Sequence, residues 1–383
     1  MKRILFISVM NGAAWGGSEE FWYRMAIWMS RNGYTVDCCF FDWSEGKEKR
    51  KITLKESGCT LHLLSNPGIS RNYLHRLLLK ARAKKQILQV VQHKYDLICV
   101  SQGGLVDVTY PMFNSMLNYL QKFALIYHNY NDDQVLSKTR KRKLYKWSHA
   151  AVKNMPAAER IFSSVQKIAG FQLPNRQLLI NPITIPVQDG PSQWGSLNEN
   201  GNYVWVVLAE LDTERKAQDL LIKTLAAEKW KHRNWQLYLY GNGKDKDYLA
   251  ELILSLNLQH KVFLEGHASN VTEVLSKTHL LLQITHMDAM PLSVTEAMNM
   301  ARPCVVSNVG DMPLWIKHEE SGYVVPQVAE NAIDAVMEKA WSQKENWQQL
   351  GINAFAIFRQ QYPFPYEPHY ERLFASLINN NMG

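Results

Sequence analysis

Asp288 and Glu296 stand eight positions apart in His286-Met287-Asp288-Ala289-Met290-Pro291-Leu292-Ser293-Val294-Thr295-Glu296-Ala297-Met298. The apolar run Leu280-Leu281-Leu282-Gln283-Ile284 precedes them, and Cys304-Val305-Val306-Ser307 follows. That order predicts a strand, a loop with one carboxylate, a helix with the second, and another strand. Both acids then lie at the carboxyl edge of a parallel sheet, where open α/β folds hold their ligands. Ser293-Val294-Thr295-Glu296 also spells a capping box, in which Glu296 only satisfies a backbone amide, and the residues alone leave the two uses open. Lys216, His128, Gly16-Gly17 and the pair Gly241/Gly243 are further candidates. Taken singly, each has an ordinary structural use: a surface cation, a hydrogen-bonded core histidine, a glycine before a helix, a turn. Asp245-Lys246-Asp247 has the look of a metal-binding D-x-D, but it opens a predicted helix, where acids are commonplace.

Strands that alternate with helices must carry these residues. Residues 4–9 read as a strand that leads through Asn11-Gly12-Ala13-Ala14-Trp15-Gly16-Gly17 into a helix starting near Ser18. Glu19 and Glu20 suit the positive end of that helix, and Asn32-Gly33 stops it. Strands follow at 35–41, 96–101 and 123–127, with Arg160–Val165 and Leu178–Ile180 as later candidates in the first half. Around 182–202, Pro182, Pro186, Gly190, Pro191, Gly195 and Gly201 break the pattern. A second series then runs through 203–208, 236–240, 262–264, 279–284, 304–307 and 323–325. The expected organisation is a first Rossmann-like domain over 1–182, a linker over 183–202, a second such domain over 203–363, and a C-terminal helix over 364–383. The Phe364-Pro365-Tyr366 break lets that helix cross back onto the first domain.

At 383 residues, with 46% hydrophobic and 20% charged side chains, the chain suits two folded domains and is not disordered. No apolar run reaches the roughly 18 residues of a membrane-spanning helix. The apolar run after Met1-Lys2-Arg3 is short and leads into Asn11-Gly12, so it reads as a first strand and not as a signal peptide. Five cysteines without zinc-type spacing read as buried, reduced thiols of a cytosolic protein. The net charge of +8 is concentrated in Arg71–Lys85 and Lys138–Lys146. These are solvated helix faces or patches that dock on anionic lipid or an anionic acceptor, with Tyr145 and Trp147 suiting the second run to a membrane surface. No nucleic-acid recognition module is visible.

Several segments in order resemble glycosyltransferase family 4. The Asp288…Glu296 spacing is similar to its E-x7-E signature. Leu208-Ala209-Glu210-Leu211-Asp212 with Lys216-Ala217-Gln218-Asp219-Leu220-Leu221 resembles its G-R-L-D…K-G-x-D-L-L segment. Tyr240-Gly241-Asn242-Gly243 resembles its strand-ending G-x-G, and Val262-Phe263-Leu264-Glu265-Gly266-His267 its V-x-F-x-G. Gly16-Gly17-Ser18-Glu19 and the strand-ending His128 match its amino-terminal half. The resemblance implies an α/β GT-B fold, with two tandem Rossmann-like domains facing across a cleft that binds a nucleotide-diphosphate sugar. It implies a retaining, hexosyltransferase-type enzyme with no required metal or cofactor, acting on a glycan or lipid-linked acceptor in polysaccharide or cell-surface glycan synthesis. Donor binding would rest on Gly16, Gly17, Glu210, Lys216, Gly243, His267, Asp288, Leu292, Ser293 and Glu296. Within that set Lys216 and the amides near Leu292-Ser293 face phosphates, Glu296 faces ribose, and Asp288 faces the sugar. His128, Asp288 and Lys216 are the expected catalytic residues. Separately from the resemblance, the cysteines and the basic runs give an expected location that is cytoplasmic, peripheral at the inner membrane face.

The pattern is imperfect. Glu210 replaces a common arginine, Asp288 is one methylene shorter than glutamate, Ala217 and Ala289 stand where glycine is usual, and Leu314 stands where a glutamate often follows. These departures keep two alternatives in play: a degenerate protein that binds a sugar nucleotide or glycan without transfer, and a GT-B epimerase.

Overall fold

The computed structural model describes residues 1–10, 15–43 and 48–379. Asn11 to Ala14 of the predicted glycine loop lie outside the described residues. Two compact units make up the chain: Met1–Pro182 with Pro363–Gly383, and Ile183–Tyr362.

The first unit holds six parallel strands, β1 (Arg3–Ser8), β2 (Thr35–Phe41), β3 (Thr60–Leu64), β4 (Leu97–Gln102), β5 (Phe123–Tyr127) and β6 (Lys153–Pro156), in the order β3-β2-β1-β4-β5-β6. Ile4 to Ile7 are fully buried. A parallel sheet covered on both faces needs continuous apolar runs of this kind. The Gly17–Arg31 helix buries Phe21, Trp22, Met25, Ala26 and Met29, a helical spacing, and Gly33 follows it at φ +87°. The Tyr366–Asn379 helix packs on that helix within the same unit. Phe21 meets Tyr370 edge-on with centroids 5.0 Å apart, Trp28 donates to Glu371 at 2.7 Å, and Arg24 pairs with Glu367.

In the second unit β7 (Tyr203–Leu208), β8 (Trp235–Tyr240), β9 (Val262–Gly266), β10 (Leu280–Gln283), β11 (Cys304–Ser307) and β12 (Gly322–Val325) form another parallel sheet, ordered β12-β11-β10-β7-β8-β9. Both sheets therefore have the doubly wound order 3-2-1-4-5-6, with direction reversing between β1 and β4 and between β7 and β10. Trp205 and Trp235 stack in the second core, 5.0 Å apart and 2° from parallel, with Trp230, Trp341 and Trp347 arranged edge-on around Trp205.

Two strand expectations are corrected. Residues 160–165 lie in the Glu159–Ala169 helix, where Ile161, Ser164, Val165 and Ile168 are buried at i, i+3, i+4 and i+7 and Gly170 closes the end at φ +84°. A six-residue window was too short to show that period. Residues 178–180 belong to no strand, whereas β3 and β6, short edge strands, are present instead. Within residues 183–202, expected as a linker, Gln188 N donates to Asn299 Oδ1 of the Leu292–Asn299 helix at 2.9 Å, and Asn299 Nδ2 donates to the Pro186 carbonyl at 2.9 Å.

Candidate functional site

The switch point of the second sheet brings two predicted residues into contact. After β7 the chain turns through Ala209–Asp212 into a single helical turn, Thr213–Lys216, which ends at Ala217 with φ +46°. That left-handed conformation explains why glycine is usual at this position. Lys216 Nζ forms an ion pair with Asp288 Oδ2, both side chains being largely buried. The two segments are also joined through their backbones. The Arg215 carbonyl accepts from Thr285 Oγ1 at 2.6 Å and from the His286 amide at 2.8 Å. Across β11, Ser307 Oγ donates to the Thr285 carbonyl at 2.9 Å.

Gly310 fixes the Asp288 loop from the other side. It sits at φ +58°, and a Cβ there would lie 2.1 Å from the Ala289 carbonyl oxygen and 2.3 Å from that of Asp288. The Asp311 amide donates to Ala289 O at 2.8 Å. Glu210, the charge reversal of the sequence, pairs with Arg215, whose Nε also donates to Asp212 Oδ2 at 2.8 Å. The reversed charge is thus answered within five residues, and Lys216 is left to Asp288.

The Leu292–Asn299 helix begins at Pro291 without a side-chain cap. The helix follows β10, and its first-turn amides, those of Leu292 and Ser293 among them, have no acceptor within the helix. The capping box is not formed. Ser293 lies inside the helix and donates from its hydroxyl to Gln283 Oε1 at 3.2 Å. Glu296, 4% exposed, accepts at Oε1 from the Thr184 amide (2.8 Å) and hydroxyl (2.6 Å). Nothing in the sequence marked Thr184, Thr285 or the Arg215 carbonyl as part of this region. Gly310 had a signal, a glycine at a strand-to-helix turn.

The remaining predicted donor residues of this unit have other surroundings. A Cβ at Gly243 would lie 2.2 Å from Leu211 O, and one at Gly241 1.9 Å from Ala209 O. The G-x-G therefore lets the end of β8 press against the turn that leads to Lys216. His267 is exposed just past β9. Asp245 Oδ2 accepts from the Thr213 amide at 2.7 Å and hydroxyl at 2.9 Å, so it anchors the Lys216 turn.

In the first unit Gly16 precedes the Gly17–Arg31 helix in extended conformation, with Gly17 as its first residue. Glu19 is buried and accepts from Ser8 Oγ and Trp22 Nε1, each at 2.7 Å. His128 directly follows β5, with Nε2 3.0 Å from Ser101 Oγ at the end of β4. Burial lowers its pKa to about 4, against a smaller opposing effect of Asn181, so the imidazole is neutral at pH 7. All five cysteines are buried and free. Among the described residues no helix is long and apolar enough to cross a membrane. The basic run Lys138–Lys146 lies on the Lys138–Ala150 helix, but Trp147, expected at a membrane surface, is fully buried against Phe123.

Residues 192–356 match the family described as "Glycosyl transferases group 1". The N-acetyl-alpha-D-glucosaminyl L-malate synthase of Bacillus anthracis is 30% identical over 89 residues, 23% of each chain. The poly(ribitol-phosphate) alpha-N-acetylglucosaminyltransferase of Staphylococcus aureus is 30% identical over 111 residues, 29% of this chain and 22% of that one. The matched stretches thus span less than a quarter of these two curated relatives. Anabaena HepE in complex with UDP-glucose has a similar structure, with a TM-score of 0.73 at 16% identity over 98% of this chain and 100% of that one. The fold is therefore GT-B, with two tandem Rossmann-like units, and the match to glycosyl transferases group 1 lies within the second of them.

Proposed function

We propose that the protein is a retaining glycosyltransferase of family 4 that moves a hexose or N-acetylhexosamine from a nucleotide-diphosphate sugar to a glycan or lipid-linked acceptor. The observation that carries this reading is the Lys216–Asp288 ion pair at the switch point of the second sheet. A cation and a hydroxyl-binding carboxylate there match the two ends of an activated sugar. As the donor binds, Lys216 exchanges Asp288 for a phosphate oxygen, and the amides of Leu292 and Ser293 add the positive helix end. Asp288 then accepts from a sugar hydroxyl, and Glu296 accepts from ribose. Gly243 and His267 border the nucleotide, and Glu210 holds Arg215. Of the first unit's residues, Gly16 and Gly17 belong to donor binding and His128 to the acceptor side.

The bond from the sugar's anomeric carbon to the leaving phosphate breaks, and the acceptor oxygen bonds to the same face of that carbon. The acceptor's proton passes to the departing phosphate oxygen. His128, held neutral, orients hydroxyls and is not the proton acceptor. A uridine donor is supported by the UDP-glucose of the HepE complex, and retention with an N-acetylglucosaminyl group by the names of the two curated relatives. Action at the cytoplasmic face of a membrane is part of the same reading.

The test is a thermal-shift panel of sugar nucleotides, followed by product analysis with and without acceptor. A cognate donor at 100 times its Kd stabilises the fold by about 2.7 kcal/mol, and Lys216→Met abolishes the shift. A panel without any shift, or a Lys216→Met protein that binds as wild type does, overturns the proposal. Binding without turnover would favour a sugar-nucleotide-binding protein instead.

A further inference from the structure

The Tyr73–Val91 helix has two apolar faces, and only one of them is used. Leu79, Ala83, Ile87 and Val90 recur at three- and four-residue intervals and are buried in the first unit. On the opposite side Tyr73 is 71%, Leu74 70% and Leu78 69% exposed, with Leu77 at 44%. Tyr73 and Leu77 are one turn apart, as are Leu74 and Leu78, so the four form a contiguous patch. Three leucines and a tyrosine in adjacent turns exceed the scattered apolar residues normal on a soluble surface. Arg76, Lys80, Arg82, Lys84 and Lys85 flank the patch, and the helix carries no Asp or Glu. An apolar stripe edged only by cations is the arrangement of a helix that lies in the interface of an anionic bilayer.

We infer that the amino-terminal half of this helix docks the protein on a membrane that contains anionic lipid, with Leu74 and Leu78 inserted among the acyl chains. The helix follows β3, so its start lies at the carboxyl edge of the first sheet, the edge at which β1 leads to Gly16 and β5 to His128. Docking there brings this edge to the lipid surface, which gives the membrane location of the proposed function a defined face. On the Lys138–Ala150 helix Leu144 and Trp147 are fully buried and Tyr145 is half exposed, so it presents no comparable apolar stripe.

The experiment is co-sedimentation of the full chain, without any nucleotide sugar, with phosphatidylcholine vesicles and with vesicles that also contain phosphatidylglycerol. Its readout does not depend on sugar transfer, so failure of one reading leaves the other standing. Wild type pellets with the anionic vesicles, less so as salt rises. Leu74→Ser with Leu78→Ser weakens binding on the order of tenfold or more. Lys84→Gln and Lys85→Gln weaken it about fivefold per charge. All of these positions are exposed, so the variants keep the wild-type melting temperature. Wild type that stays in the supernatant, or a leucine double variant that binds as wild type does, overturns the inference. So does a wild-type dimer that ignores vesicles and is dispersed by the leucine substitutions, because a second copy would then cover the face.

Discussion

Glu296→Ala tests whether this buried carboxylate holds the fold as well as a ligand. The substitution removes the acceptor of two hydrogen bonds from Thr184, at 2.8 and 2.6 Å. A hydrogen bond to a charged group contributes about 1.5–3 kcal/mol. Thr184 is exposed and its freed donors rehydrate, so the expected loss is toward the lower end, roughly 3–4 kcal/mol for the pair. In a unit of this size, that lowers the melting temperature by roughly 6–16 °C. Thr184→Val removes only the hydroxyl and costs about 1–2 kcal/mol. Thermal unfolding of both single variants and the double variant closes a cycle, and the coupling should be about 1–2 kcal/mol because the residues touch. Steady-state kinetics then separates the two roles: Glu296→Ala raises the donor KM, whereas Thr184→Val leaves it near wild type. Additive effects on melting would refute the structural staple, and equal changes of KM in both single variants would refute the ribose contact.

Gly310→Ala should displace the Asp288 loop, because a Cβ would lie 2.1 and 2.3 Å from two of its carbonyl oxygens at φ +58°. A shift of about 1 Å costs roughly a hundredfold in kcat/KM, and unchanged kinetics would show that the loop does not position the reacting group. His128 makes the fold sensitive to acid. Its pKa is about 4 when folded and about 6.5 when unfolded, so between these values the unfolded chain binds more protons and stability falls as pH falls. The loss approaches roughly 3 kcal/mol near pH 4. His128→Gln should flatten the dependence of melting temperature on pH over this window, and a slope equal to wild type would remove His128 as its source.

The strands that carry the switch points were legible because buried parallel strands are unbroken apolar runs, as in Ile4–Ile7 and Leu280–Leu282. The edge strands of the first sheet were not: β6, Lys153-Asn154-Met155-Pro156, has a lysine and an asparagine before its single methionine, and only its pairing with β5 makes it a strand. Lys216 and Asp288 were found by their order along the chain, and their contact needed coordinates, since 72 positions separate them. Glu296 shows the limit most clearly. Its partner is Thr184, 112 positions away in a stretch that local composition marks only as a break. Trp147 was misplaced for a related reason: a tryptophan among lysines fits a membrane surface as well as the buried side of a helix, and only Phe123 decides between them.

The parallel indoles of Trp205 and Trp235, on the neighbouring strands β7 and β8, have a spectroscopic consequence. Rings stacked this closely couple their electronic transitions, and the resulting near-ultraviolet circular dichroism exists only while the two strands remain paired. Since β7 leads directly into the turn that ends at Lys216, that signal gives a reporter, without any added dye, of whether the scaffold beneath the lysine is intact in each variant.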